Sequence, residues 1–97
     1  MPDISKEIKT KLEFGMLFTS NDISELFGIH KRTVLSWTRH GMPHTTVGSY
    51  RQSYRYDIRE VLLWTRDHRI NYYRRFIDRY GLTTNRLANL TRTIMGG

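Results

Sequence analysis

A short basic segment, residues 30–43, carries the side chains best suited to chemistry. It reads HKRTVLSWTRHGMP and holds Lys31, Arg32 and Arg39 without a single acidic residue. Guanidinium and ammonium groups form charge-assisted hydrogen bonds with phosphates, and arginine also pairs with guanine edges. The pattern therefore predicts recognition of a polyanion.

The same segment predicts a helix with two different sides over residues 31–40. On a wheel at about 100° per residue, Val34 and Trp37 define an inner side, and Thr33 and Thr38 flank it. We expect the inner side to pack on the domain while the outer side faces the major groove of DNA. The outer residues predicted to contact DNA are Lys31, Arg32, Leu35, Ser36 and Arg39.

The position of each outer residue suggests its role. Arg32 lies in the first turn, where recognition helices reach base edges, and is the best candidate for reading guanine. Ser36 is expected at a base or a phosphate, Leu35 at thymine methyl groups, and Arg39 at phosphate. An arginine on a short helix is usually only a solvated charge, so the concentration of basic residues on one side carries this prediction.

Another short helix is predicted just before this segment, and the two form a helix-turn-helix. Thr19 or Ser20 serves as its N-cap, and Asp22 suits the positive end of the first turn. Gly28 ends the helix, because glycine adopts a positive φ without steric cost. The residues that form its buried side, at helical spacing, are Ile23, Leu26 and Phe27.

The stretch after Pro43, HTTVGSYRQSYRYD, predicts a β-hairpin with a loop near residues 48–53. Alternation places Tyr54 and Tyr56 on one side of a strand, where we expect both rings to pack inward. The hairpin is the candidate wing, since a narrow minor groove attracts arginine. The wing residues predicted to reach the DNA backbone or the minor groove are Tyr50, Arg51, Gln52 and Arg55.

Amphipathic helices are predicted on both sides of this central region. Apolar residues recur every four positions up to Leu12, which predicts a helix over residues 4–13. After the hairpin, Asp57 and Glu60 have the spacing of a capping box. The inward stripe of the helix that this box opens consists of Ile58, Val61, Leu62 and Thr65.

The C-terminal third predicts two more helices, over residues 68–80 and 83–95, with Gly81 between them. Their apolar stripes would either pair with a second copy or close the domain's own core, and the sequence leaves both possibilities open. The stripe of the first of these helices consists of Ile70, Tyr73, Ile77 and Tyr80. Its arginines would form either a second phosphate-binding face or ion pairs with Asp67 and Asp78; they are Arg69, Arg74, Arg75 and Arg79.

The order of these elements predicts a mainly α fold with a small β-hairpin, the winged helix-turn-helix. Residues 1–16 would be an N-terminal helix, residues 17–68 the DNA-binding domain, and residues 69–97 helices for packing or dimerisation.

Composition agrees with a small nucleic-acid-binding protein. The 97 residues include 16 Lys and Arg against 9 acids, for a formal net charge of +7. There is no cysteine, which excludes disulfides and thiolate metal sites, and no apolar run approaches the length of a membrane span. We therefore expect no membrane association, no cofactor, and an intracellular location.

Catalytic and metal-binding patterns are weak. His40 and His44 have metal-like spacing, but Gly41 and Pro43 lie between them and prevent a shared helical face. The sequence has no phosphate-binding loop of the GxxxxGK[ST] kind and no obvious pair of acids for acid–base catalysis. An enzyme is not expected.

Residues 17–68 resemble the N-terminal winged-helix domain of phage DNA-packaging terminase small subunits of the lambda type. The matching features are LFG with RTV..W in the helix pair, GMP after it, and YD before an apolar helix with V..W. They are shared by a phage group that includes excisionase-like and AlpA-like regulators. The resemblance implies sequence-specific duplex binding, with Lys31, Arg32, Thr33 and Ser36 on the recognition helix and Arg51 in the wing.

One position departs from the family pattern. Such sequences often have Ser or Thr at the start of the recognition helix, where this chain has His30, a weaker cap that could face phosphate instead. A second departure is that this sequence ends at Gly97 without the long assembly region that packaging subunits usually carry. A truncated DNA-binding domain is one explanation, and a regulator or replication initiator that uses the same module is another.

Several functions fit the same sequence. The leading hypothesis is a double-stranded DNA-binding protein of a phage or mobile element that marks a packaging site, acting as a homodimer or within a larger phage or replication complex. A replication-initiator origin-binding domain, an excisionase or a transcription regulator would use the same helix. From other classes, the chain could be a basic protein-interaction adaptor, or a single-strand binder that stacks bases on its tyrosines.

Overall fold

The computed structural model describes residues 6–48 and 53–81, which are mainly helical with one antiparallel hairpin. This confirms the coarse fold class predicted from the sequence. The predicted helix over residues 83–95 lies outside the described residues. In chain order the elements are α1 Lys6–Phe14, α2 Ser20–Phe27, α3 Lys31–Arg39, β1 Thr45–Val47, β2 Ser53–Arg55, α4 Ile58–His68 and α5 Ile70–Tyr80.

The bounds of α2 follow from its caps. Thr19 is the N-cap: its hydroxyl accepts a hydrogen bond from the Asp22 backbone N–H, and the Asp22 carboxylate accepts one from the Thr19 N–H. Gly28 ends the helix with φ 64°, in the left-handed region where glycine has no steric penalty. Both caps agree with the sequence prediction.

The α3 helix has the two sides predicted for it. Val34 and Trp37 are buried, with 0% and 3% of their surfaces exposed, whereas Arg32 and Arg39 are exposed. The ring of Trp37 contacts Phe27 of α2 edge-on, with 5.9 Å between the ring centroids. The aromatic contact fixes α3 against α2 and leaves the basic side outward.

The hairpin joins the helical core through a contact that periodicity does not reveal. β1 and β2 are antiparallel, with Thr46 opposite Tyr54. Beyond β2, Tyr56 pairs with Phe18 through two backbone hydrogen bonds of 2.8 Å. The segment before α2 thus extends the base of the hairpin, and Phe18 and Tyr56 are both fully buried.

The α4 helix begins at the predicted cap. The Asp57 carboxylate accepts a hydrogen bond from the Arg59 backbone N–H at 2.9 Å, and it is also paired with the Arg59 guanidinium. Asp57 is thus confirmed as the N-cap, but the capping box predicted with Glu60 is not formed, because the side-chain partner of Asp57 is Arg59. All four residues of the predicted inward stripe are buried, namely Ile58, Val61, Leu62 and Thr65.

The α5 helix corrects one prediction. Helical spacing places Ile70 on the buried stripe, but 41% of its surface is exposed, and the buried residue is Phe76. The helical backbone conformation is interrupted at Arg69, which has φ −141° and ψ 59°. The α5 helix therefore begins at Ile70, two residues later than predicted. The buried face of α5 then centres on Phe76, and Ile70 lies at its margin.

One hydrophobic core includes residues from all three regions that the sequence suggested. It contains Ile8 and Leu12 of α1, the buried sides of α2, α3 and α4, and Phe76 of α5. The rings of Phe27 and Phe76 are 5.1 Å apart, and those of Trp37 and Tyr72 are 5.0 Å apart. Phe76 of α5 thus belongs to the core of its own chain, and Tyr73, Ile77 and Tyr80 of the predicted stripe pack against that core. Within residues 6–48 and 53–81, no helix has the length and apolar character needed to cross a membrane.

Candidate nucleic-acid interface

The outer side of α3 presents positive charge without a carboxylate partner. Lys31, Arg32 and Arg39 are exposed, and α3 contains no acidic residue. The ion pairs of the described residues lie elsewhere and are Lys11–Asp22, Arg59–Asp57 and Arg66–Asp67. The three basic groups of α3 are thus available for an external anion.

The remaining predicted residues of α3 are less exposed. Thr33, Leu35 and Ser36 are each half-buried. Leu35 lines a cleft of about 390 Å³, together with Lys31. Because Leu35 is half-buried, its side chain is better placed for an apolar contact at the edge of a groove than for one at the groove floor.

This cleft brings together three elements that are distant in the sequence. It lies between the start of α2, the first half of α3 and the second strand of the hairpin. The α2–α3 helix pair and the hairpin therefore border one concave surface. Besides Lys31 and Leu35, the residues that line it are Thr19, Ser20, Asn21, Ser53, Tyr54 and Arg55.

Sequence reasoning missed the start of α2 as a part of this surface. Asn21 is exposed, and Thr19 is half-buried. In helix-turn-helix proteins the first helix crosses the DNA backbone, so the polar run Thr19–Ser20–Asn21 just before the apolar stripe was an available signal. Its proximity to β2 was not available, because that depends on the Phe18–Tyr56 pairing.

His30 fills the cap position at the start of α3, where the family pattern often has Ser or Thr. It is the N-cap of α3, and its Nδ1 accepts a hydrogen bond from the Arg32 backbone N–H at 3.1 Å. Because Nδ1 is the acceptor, the neutral ring carries its proton on Nε2. The side chain is exposed, so this Nε2–H can donate to a phosphate while Nδ1 caps the helix.

The hairpin residues give a mixed outcome. Arg55 is half-buried, and its Nη1 donates to the Tyr54 carbonyl oxygen at 2.9 Å, which keeps the guanidinium along its own strand. The prediction that Tyr54 packs inward is wrong, since 37% of its surface is exposed. Tyr54 lies two residues from the buried Tyr56, and a strand rises about 3.3 Å per residue. Its ring is therefore displaced along the strand, beyond the margin of the core. The wing-loop residues Tyr50, Arg51 and Gln52 lie outside the described residues.

A buried hydrogen-bonded chain holds these elements in place. The Tyr56 hydroxyl lies 2.8 Å from Thr38 Oγ1 and 3.2 Å from Ser20 Oγ, and Thr38 donates to the Val34 carbonyl at 2.9 Å. Each hydroxyl has one proton. Since the Thr38 proton is used on Val34, Tyr56 must donate to Thr38 and Ser20 to Tyr56. The start of α2, the end of α3 and the base of the hairpin are thereby joined through one phenol.

The carboxylate of Asp22, in the first turn of α2, forms an ion pair with Lys11 of α1. Burial alone would raise the pKa of Asp22, but hydrogen bonds from Lys11 and from the Thr19 backbone lower the pKa on balance. The carboxylate therefore stays ionised as part of the cap and of the link to α1. Its charge is compensated by Lys11, so it adds little repulsion toward an anion in the cleft.

The histidines and tryptophans have ordinary structural partners. His40 Nδ1 lies 2.7 Å from the Ser36 carbonyl oxygen, and His44 Nδ1 lies 2.9 Å from that of Met42. No group of three metal-binding side chains occurs in the part of the chain that the structure describes. Trp37 and Trp64 are both buried, so neither is a platform for base stacking.

The described surface thus combines a basic helix side, a polar helix start and one strand of a hairpin around a single cleft. Such a surface can form hydrogen bonds with phosphates and can insert one helix side into a groove about as wide as a helix. Comparisons with protein-family models, with curated proteins and with solved structures gave no match to the chain.

Proposed function

We propose that this chain binds double-stranded DNA sequence-specifically as a winged helix-turn-helix, in which α2 and α3 form the helix pair and the hairpin forms the wing. The observation that carries the proposal is the division of α3. Val34 and Trp37 are buried, and the opposite side presents exposed Lys31, Arg32 and Arg39. A helix anchored on one side and positively charged on the other is what major-groove recognition requires.

In this proposal α3 lies in the major groove with its N-terminal half toward the bases. Arg32 reads guanine through O6 and N7, and Leu35 contacts a thymine methyl group. Phosphates are contacted by Lys31 and Arg39, and by the outward Nε2–H of His30. These contacts join a base-reading group to groups that fix the register of the helix.

The wing and the start of α2 complete the proposed interface. The described part of the hairpin borders the same cleft as α3, so a duplex held by α3 would also meet β2. Arg55 and the wing-loop residues Tyr50, Arg51 and Gln52 are proposed to contact the backbone or the minor groove. Asn21, at the exposed start of α2, would meet the opposite margin of the groove.

The biological role that we propose is recognition of a packaging site by a phage protein similar to a terminase small subunit, in the cytoplasm of a bacterial host. This role depends on the resemblance of residues 17–68. Origin binding, excision and transcription regulation use the same physical contacts and differ only in where the site lies. A homodimer or a larger phage or replication complex would lengthen the short site that one helix can read.

Two measurements test the proposal. Selection of bound duplex fragments from the source genome should recover one sequence, and its location identifies the role. Titration of binding with salt should give a log–log slope near −4.5 for about five phosphate contacts. A preference for unpaired strands would indicate a single-strand binder instead. Tight binding to acidic proteins without any sequence preference on duplex DNA would indicate an adaptor.

A further inference from the structure

A second basic surface lies on α5, away from the outer side of α3. The segment from Arg66 to Gly81 contains five arginines and two aspartates. Arg74, Arg75 and Arg79 are all exposed: Arg74 lies on the side of α5 opposite the buried Phe76, whereas Arg75 and Arg79 lie along one flank of that residue. The single acid of α5 is Asp78, so the exposed surface of this helix has a net positive charge.

The arginines of α5 are not ion-paired within the described residues. In that part of the chain the one carboxylate paired with an arginine of this segment is Asp67, which contacts Arg66 of α4. Arg75 and Arg79 contact aromatic rings instead, with their Cζ atoms 5.5 Å and 5.4 Å from the ring centroids of Tyr72 and Tyr80. Cation–π contacts position a guanidinium without neutralising it.

Arg75 and Arg79 also converge on a cleft. One helical turn apart on α5, they line a cavity of about 310 Å³ whose other wall is the end of α2, at Leu26, Phe27 and Gly28. A Cβ placed on Gly28 would lie 3.1 Å from Arg79 Nη1, so this guanidinium sits close to the α2 backbone. The two cations therefore flank one concave point on the surface.

We infer that Arg75 and Arg79 form a second phosphate-binding site, which holds the backbone of duplex DNA outside the stretch read by α3. This inference rests on the proposed function. Two unpaired guanidinium groups at one cleft match a phosphodiester, whose oxygens accept paired N–H donors. The site lies at the end of α2 opposite to the cleft that borders α3, so it adds contact length without adding sequence reading.

Arg79 has a structural alternative that the experiment must separate. The end of α2 is the negative pole of that helix, and α2 itself has no basic residue in its last turn. An arginine there stabilises α2 whether or not a phosphate binds. Arg75 contacts Tyr72 and does not approach the α2 cap as Arg79 does, so its replacement tests binding with less effect on folding.

The test is a salt titration of binding to mixed-sequence duplex DNA, with thermal unfolding of every variant. The variants are Arg75→Gln alone and Arg75→Gln with Arg79→Gln, and glutamine retains much of the arginine stem. Each lost phosphate contact should reduce the magnitude of the log–log slope by about 0.9, so the double variant should lose about 1.8. Arg66→Gln, which removes an exposed arginine already paired with Asp67, is the matched control and should leave the slope unchanged.

The outcomes separate the inference from the function on which it rests. Wild-type protein that fails to bind any duplex refutes both. Duplex binding with the same slope in wild type and in both α5 variants refutes only the second site, and a lower melting temperature of the double variant then assigns Arg79 to the α2 cap alone. A reduced slope in Arg75→Gln, with Arg66→Gln unchanged, supports the second site.

Discussion

The phenolic oxygen of Tyr56 lies 2.8 Å from Oγ1 of Thr38, inside the domain and shielded from water. Tyr56 is at the base of the hairpin, and Thr38 is in the last turn of α3. The contact therefore joins the proposed wing to the proposed recognition helix through one hydrogen bond whose direction is fixed. It also reaches Ser20 at the start of α2, so three borders of the cleft share this phenol.

Replacing Tyr56 with phenylalanine removes the hydroxyl and retains the ring. The hydroxyl of Ser20 then loses its acceptor, and Thr38 loses a donor inside the core. We expect the free energy of unfolding to fall by about 1–2 kcal/mol, as for buried polar groups left without a partner. Urea denaturation of wild type and Tyr56→Phe measures this difference.

The matched control is Tyr54→Phe, two residues earlier on the same face of the strand. The Tyr54 ring contacts His44 at 5.0 Å, and its hydroxyl makes no hydrogen bond among the described residues. This change should alter stability by less than about 0.5 kcal/mol. Equal losses in the two variants would mean that the buried chain of hydroxyls adds no stability.

The parts of the fold that local sequence encodes are predictable from the residues alone. Caps and apolar stripes act within a few residues, so the helix end at Gly28 and the buried pair Val34 and Trp37 follow from residue type and spacing. The Phe18–Tyr56 pairing does not, because it joins residues 38 positions apart and periodicity carries no information on long-range pairing. The error at Ile70 has a related origin, since the break at Arg69 sets which side of α5 faces the core.

In the candidate site, too, local features are predictable from the sequence and long-range ones are not. The exposure of Arg32 and Arg39 follows from the helical wheel alone, and the structure confirms it. The cleft that α3 shares with Asn21 depends on where the hairpin packs, which is a tertiary property. Alternation places Tyr54 inward, but a two-stranded hairpin extends beyond the core, and alternation does not show where the core ends.

His30 should affect stability and binding separately. His30→Ala removes the acceptor for the Arg32 backbone N–H and should cost about 1 kcal/mol, as for other N-cap losses. His30→Ser restores a capping oxygen and should restore stability. Neither variant has a group that replaces the outward Nε2–H, so both should bind cognate and random duplexes more weakly than wild type. If the His30→Ser variant binds duplex DNA as tightly as the wild-type protein does, His30 acts only as a helix cap.

Acid should destabilise the domain through Asp22. Its pKa is lowered below the ordinary value of 3.8, because hydrogen bonds from Lys11 and Thr19 outweigh the opposing effect of burial. A lowered folded-state pKa means that the unfolded state binds protons first as pH falls, so the carboxylate stabilises the fold above pH 3.8 and this contribution is lost below it.

Denaturation midpoints between about pH 6 and pH 3 measure this effect, since the ordinary pKa of aspartate lies inside that interval. Asp22→Asn should be less stable at the upper end of the interval and should lose less stability toward acid. The stability of Asp22→Asn should still depend on pH to some extent, because the pKa of Asp57 is also lowered. There the hydrogen bonds from Arg59 outweigh the opposing effect of burial. If the stability of Asp22→Asn falls with pH as steeply as that of the wild-type protein, the Lys11–Asp22 ion pair has no role in acid sensitivity.

Arg32→Ala should reduce the preference for the selected sequence, because a base-reading arginine distinguishes guanine from other bases. The expected loss is about 1–3 kcal/mol in the difference between cognate and random duplex. Arg39→Ala is the matched control on the same exposed side of α3, and as a phosphate contact it should weaken both duplexes alike. Binding isotherms for both variants at one fixed salt concentration, on cognate and random DNA, give the four affinities needed. Equal weakening of the two duplexes by Arg32→Ala would place its guanidinium on the backbone, and the base-reading group would then have to be sought at Ser36 or in the wing.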